Sequence, residues 1–121
     1  VREGAGRDVV GRFKSRGMGG SLLVSCHRGF LMSRSKAMGE AREAAEAAIE
    51  GASPVKVRRV EMGGQEVPVT QYQGTEEGAP MAAVTLTIKT GRCWLNLLGT
   101  APARNGDELE EQLIGIAASA K

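Results

Sequence analysis

Residues 81–102 read MAAVTLTIKTGRCWLNLLGTAP, and their alternation sets the architecture of the chain. Ala82, Val84, Leu86 and Ile88 fall on one side of a strand over 81–89, with Met81, Ala83, Thr85 and Thr87 on the other. That is the pattern of a sheet with one face on a core and one in water. Thr90-Gly91 turns the chain into a second strand over 93–98, and a Gly/Pro/Asn loop leads on to a helix. Its apolar stripe is Leu109, Leu113, Ile116, Ala117 and Ala120, and Asn105 stands three residues ahead of Glu108 in the spacing of a capping box. Val84, Leu86 and Ile88 are expected to pack on this helix through Leu113 and Ile116. The smaller, polar side is expected to face solvent or a partner, which makes Thr85 and Thr87 candidate binding residues.

Upstream, strand patterns over 55–62 and 65–73 flank Gly63-Gly64, a pair suited to a tight hairpin turn. Pro68 removes one backbone donor and points to an edge or a solvent-facing position, and 74–80 reads as a polar loop. A helix over 36–50 is expected behind Ser35, with Met38, Ala41, Ala45, Ala48 and Ile49 inward and the glutamates in water. Gly51 and Ser53-Pro54 stop it. An earlier hairpin pairs 9–14 with 21–27 across the glycines at 17, 19 and 20. The order is β-β-α-β-β-β-β-α, which predicts an α+β fold: an antiparallel β-sheet with helices packed on it. Residues 1–8 read as a flexible leader and 9–121 as a single α+β domain.

A chain of 121 residues supports one core. Its net charge of +2 is unevenly spread: up to Lys36 there are eight Lys/Arg against Glu3 and Asp8, an excess of +6, and the remainder carries −4. Arg12, Arg16, Arg28 and Arg34 are therefore the residues to test for an anion, nucleic acid or lipid surface. The plainer use of such arginines is to keep hairpin edges soluble and unpaired. No apolar run approaches the ~20 residues of a membrane-spanning helix, so no transmembrane segment is expected.

Catalytic chemistry finds little purchase. Cys26 and His27 are adjacent, but neighbours on a strand point to opposite faces. One histidine and two distant cysteines do not make a metal framework, so no metal is expected. Cys26 and Cys93 read as isolated buried thiols or, if their strands are neighbours, as a disulfide. The glycines at 17–20 lack the Lys-Ser/Thr and the following helix of a phosphate loop, and no cofactor is expected. Trp94 is expected in the core.

GGSLLVSC (19–26), the alanine-rich helix, VRRVEMGGQEVPVTQYQG (57–74), MAAVTLTIKTGRCWLNLLGTAP (81–102) and the terminal helix together resemble the PsbP-like superfamily. That superfamily includes photosystem extrinsic proteins, a Ran-binding nuclear import factor, bacterial DcrB-like proteins and secretion chaperones. The resemblance covers 9–120 by element order, and the family's opening strand with its proline and tryptophan has no counterpart before Val9. It implies a non-enzymatic module that binds another protein or acts as an accessory, chaperone-like domain, soluble and placed in the bacterial cell envelope or cytoplasm. The alternative is an anion, nucleic-acid or lipid-surface binding domain using the basic N-terminal hairpin. No catalytic residue is implied.

Overall fold

A computed structural model describes residues 7–15, 20–27, 33–91 and 93–119, with side chains described for 21–27, 33–91 and 93–118. The chain forms β1 (Arg7–Ser15), β2 (Gly20–His27), α1 (Arg34–Ala48), β3 (Glu50–Met62), β4 (Gln65–Glu76), β5 (Ala79–Lys89), β6 (Trp94–Pro102), a 3-10 turn (Ala103–Asn105) and α2 (Gly106–Ser119). All strands join one six-stranded antiparallel sheet in the order β1-β2-β6-β5-β4-β3. The α+β class and the element order thus match the sequence expectation. β1 begins at Arg7, which pairs with His27, so Arg7 and Asp8 belong to the sheet and not to a leader.

The helices lie on opposite faces of the sheet, both centred on β5 and β6. α2 covers Val84, Leu86, Ile88 and Leu97 with Leu109, Leu113 and Ala117. Gly99 lets it approach, because a Cβ there would lie 2.8 Å from Leu109 Cδ1 and 2.9 Å from Leu113 Cδ1. Ile116, expected in this interface, is 40% exposed. Packing advances about 100° per residue around a helix, which carries position 116 past the contact made by 109, 113 and 117.

α1 covers the other face, and this corrects the expectation of an open one. Thr85 and Thr87 are buried beneath it, at 5% and 3% exposure. Ser33, not Ser35, is the N-cap, its hydroxyl accepting from Lys36 N at 3.3 Å. Ala37, Ala41 and Ala45 face inward, and Met38 and Ala48 lie at the surface.

Two hairpins close through residues in the left-handed region: Gly63-Gly64 at φ 54° and 85°, and Glu77-Gly78 at φ 52° and 84°. The second replaces the expected polar loop, since β4 runs to Glu76 and β5 starts at Ala79. Pro68 sits in β4, an interior strand, and the β4–β5 ladder stops beside it at Val69–Leu86. The Gln65 side chain substitutes for the ladder there: its Nε2 donates to Lys89 O at 3.0 Å and its Oε1 accepts from Lys89 N at 3.1 Å.

Cys26 and Cys93 form a disulfide with Cα atoms 5.7 Å apart, joining the end of β2 to the residue before β6. Reading them as isolated thiols is therefore wrong. Alternation gives faces, whereas the bridge depends on the β2–β6 register, which pairs Cys26 with Leu95. Closing a loop of 67 residues should contribute on the order of 4 kcal/mol. Reduction, or a Cys26→Ser/Cys93→Ser double variant, is expected to lower stability in urea by that order. An unchanged denaturation midpoint would contradict the assignment. Leu86→Ala should cost about 2–5 kcal/mol. Thr87→Val should cost about 1–3 kcal/mol, because it strips a buried partner from Asn96.

Candidate functional site

The alanine stripe of α1 brings that helix close onto β5 and β6, where Asn96 Nδ2 donates to Ala37 O at 2.9 Å. The Thr87 hydroxyl donates to Asn96 Oδ1 at 2.6 Å, so the floor and the helix are tied by one buried chain of hydrogen bonds. β3 and the adjoining part of β4 lie to the side of α1. A groove of about 360 Å³ opens between them. Met38 and Arg42 form its helical wall, Pro54, Val57 and Pro68 its strand wall, and Tyr72, Thr85 and Thr87 its floor. Met38 is 37% and Val57 66% exposed, so apolar side chains face each other across an open cleft. Arg42 at the rim is bound to Glu46 at 3.2 Å.

Tyr72 is 5% exposed, and burial pushes its phenol above the ordinary tyrosine value. A hydrogen bond with Thr85 and the nearby charge of Arg42 act against that rise, and Glu46 adds to it.

β3 owes its position to charge on the opposite face. Lys56 Nζ lies 3.1 Å from Asp107 Oδ1 and 3.6 Å from Glu110 Oε1, while Arg58 lies 3.0 Å from Glu110 Oε2 and 3.3 Å from Glu111 Oε2. Glu110 is only 2% exposed, contrary to the expectation that the helical glutamates are all in water. With the Gln71 amide nitrogen turned to the carboxylates, it donates to Glu110 Oε1 at 3.0 Å and to Asp107 Oδ1 at 3.3 Å. The Asp107 hydrogen bond and the Glu110 charge hold the Lys56 ammonium above its ordinary range. A raised pKa means that this contribution is complete below the ordinary lysine value and fades as the pH climbs through the raised one.

Of the residues proposed from sequence, Arg34, Thr85 and Thr87 have described side chains, and Arg34 does not line the groove that Thr85 and Thr87 line. The Arg12 backbone pairs with Leu23 in β1–β2, but its side chain, like Arg16 and Arg28, lies outside the described residues. Arg34 opens α1 and stands 6.0 Å from the centroid of the Trp94 ring, with Lys89 Nζ at 5.5 Å. Trp94 is therefore a half-buried ring beside two cations, not a core residue. Thr85 and Thr87 are present in the groove, but as its floor. Met38 and Val57 were missed, the first assigned to the core and the second treated as ordinary strand. The two prolines facing Tyr72 and Arg59 were the available signal.

Ser25 and His27 share the α1 face of β2, with Ser25 Oγ 3.1 Å from His27 Nε2. This is the spacing of a nucleophile and base, yet both are buried and the adjoining space measures about 10 Å³. Such a void holds at most a water molecule.

Tyr72 is the single tyrosine, so phenolate absorbance reports it alone. Its titration midpoint is expected above the ordinary value of 10.0. Because the pKa is raised, the associated stability is present below that value and lost as the pH rises through the folded one. A midpoint at or below the ordinary value would contradict the closed floor.

No family model and no curated protein matches the chain. Its fold is similar to the crystal structure of PA94 from Pseudomonas aeruginosa, a protein of unknown function described as a candidate regulator. The TM-score is 0.64 at 14% identity, over 100% of this chain and 85% of that one. A likeness at this identity is one of fold alone.

Proposed function

We propose that this chain is a non-enzymatic protein-binding module, an accessory or chaperone-like domain of PsbP-like, DcrB-like type, that receives part of a partner protein in the groove between α1 and β3–β4. The observation that carries this reading is the pair of exposed apolar walls, Met38 and Val57, over a floor whose hydrogen bonds are already made. An apolar cleft with a polar rim is the usual form of a recognition surface. The β-β-α-β-β-β-β-α order supports the superfamily resemblance. Cys26 is bonded to Cys93, and Ser25 with His27 has no room for a substrate, which favours binding over nucleophilic catalysis. The disulfide supports an oxidising compartment such as the bacterial cell envelope.

The second reading, an anion, nucleic-acid or lipid-surface domain, draws on Arg34 and Lys89 beside the Trp94 ring. Phosphate contacts of this kind weaken steeply with salt. Titration with single-stranded nucleic acid and with anionic vesicles at low salt tests it, and absence of binding there removes it.

For the leading reading, the immobilised chain is expected to recover a stoichiometric protein from its native source. Val57→Asp should abolish recovery, while Ile116→Asp, an exposed site on α2, should leave it intact. Recovery of the chain alone, or equal behaviour of the two variants, would count against the groove.

A further inference from the structure

We infer that β3 is a homodimer interface, pairing antiparallel with the β3 of a second copy of this chain about a two-fold axis at Val60, so that Arg59 faces Glu61 of the partner subunit. The pairing uses the outer edge of the strand and stands whether or not the groove is occupied. Among the described residues β3 is bonded on one side only, to β4. Upstream of Lys56 the strand is irregular, with shifts at Glu50/Ser53 and Pro54/Lys56, whereas from Lys56 to Met62 every residue is in register. Met62 and Gln65 flank the two-residue turn Gly63-Gly64, so they form the hydrogen-bonded pair that closes the hairpin. Bonded pairs recur at every second residue, at Val60, Arg58 and Lys56, and the backbone groups of Val57, Arg59 and Glu61 therefore point away from β4. Pro68 agrees with this phase, since it stands opposite Arg59, where no donor is directed at β3.

A ladder between two copies has to set these outward residues against one another, which places the two-fold axis at a residue and not between two. Within the regular stretch, charge separates the choices. An axis at Val57 sets Lys56 against Arg58, and axes at Arg58, Arg59 and Glu61 set each of those residues on itself. Like charges directly opposite destabilise a ladder. An axis at Val60 sets opposite charges together, Arg59 against Glu61 on both sides of it, each in a bonded pair. Lys56 and Arg58, already held by Asp107, Glu110 and Glu111, then stand opposite Gly64 and Met62 of the partner subunit and meet no cation. The apolar side of the strand agrees. Val60 and Met62 are half-buried and pack against the core beneath α2, so the close non-bonded contact of Val60 with its own counterpart carries that core across the axis. An axis normal to the sheet keeps α1 of both copies on one face, and the two grooves open side by side. Because both copies use the same edge, the pairing closes and leaves no β3 edge for a third.

Sedimentation of the whole chain from micromolar to millimolar concentration tests this, and a monomer–dimer equilibrium is expected. Arg59→Glu and Glu61→Arg each turn both attractive pairs into like-charge pairs and should weaken dimerisation by about tenfold. The double exchange Arg59→Glu/Glu61→Arg should restore it, because with the axis at Val60 the swapped charges meet again. Both positions are exposed, so all three variants should match the parent in thermal denaturation. Hydrogen exchange at the amides of Arg59 and Glu61 should be slower in the dimer than in dilute protein. A chain that stays monomeric at millimolar concentration, a dimer that leaves those two amides unprotected, single variants of parental affinity, or a double exchange that fails to restore pairing would each overturn the interface.

Discussion

Both helices sit on the same two strands, and the rest of the molecule follows from that placement. β5 and β6 form the middle of the sheet and are covered from above and below, which only small or interdigitating side chains allow. α2 gains its approach from Gly99, into whose missing Cβ volume Leu109 and Leu113 project. α1 gains its approach from its own alanines at 37, 41 and 45, all nearly inaccessible. A helix brought that close cannot also reach outward over β3, and the uncovered strip becomes the groove. The cleft is thus a geometric consequence of a narrow helical stripe on a wide sheet, and not an excavation of the core.

The edge strand needs a second anchor, and Glu110 provides it. β3 buries little apolar surface of its own, with most positions from Glu50 to Arg59 exposed. Burying a carboxylate is unfavourable unless its charge is met, and here Arg58, Lys56 and Gln71 all converge on it. Removing one partner leaves an uncompensated buried charge, so the cluster specifies the register of β3 on α2 more than it adds net stability. It also settles which side of β3 is occupied. The cations on the α2 side are held, while Val57 and Arg59 are left on the groove side.

How much of this was legible depends on whether a residue's neighbours are local. The alternation of Val84, Leu86 and Ile88 is local, and those residues lie in the core as read. Gly63-Gly64 is local too, and its turn stands as expected. Thr85 and Thr87 were misread because threonine suits both a wet face and the floor under a closely packed helix. The alanine stripe of α1 was the clue, since small residues on a helix require small residues beneath it. Glu77-Gly78 reads as loop, because a glutamate in the left-handed region has no sequence signal comparable to a second glycine. Glu110 looked like its solvated neighbours Glu108 and Glu111; only the placement of Arg58 across the sheet distinguishes it. The disulfide likewise depends on a strand register that no local pattern encodes.

The polarity of the groove floor has a physical consequence for recognition. A floor of leucine would draw α1 or a stray apolar chain onto itself, because exposed apolar area is unfavourable in water. Threonine and tyrosine avoid this by satisfying one another: Thr87 bonds Asn96, Asn96 bonds the α1 backbone, and Thr85 bonds Tyr72. An occupant therefore need not supply hydrogen bonds to the floor, and its absence leaves none broken there. On the proposed binding reading, affinity would come from the walls, Met38 and Val57. Among the described residues, the exposed edge strand β3 is thus tied to the sheet's α2 side through a carboxylate, Glu110, that is itself buried.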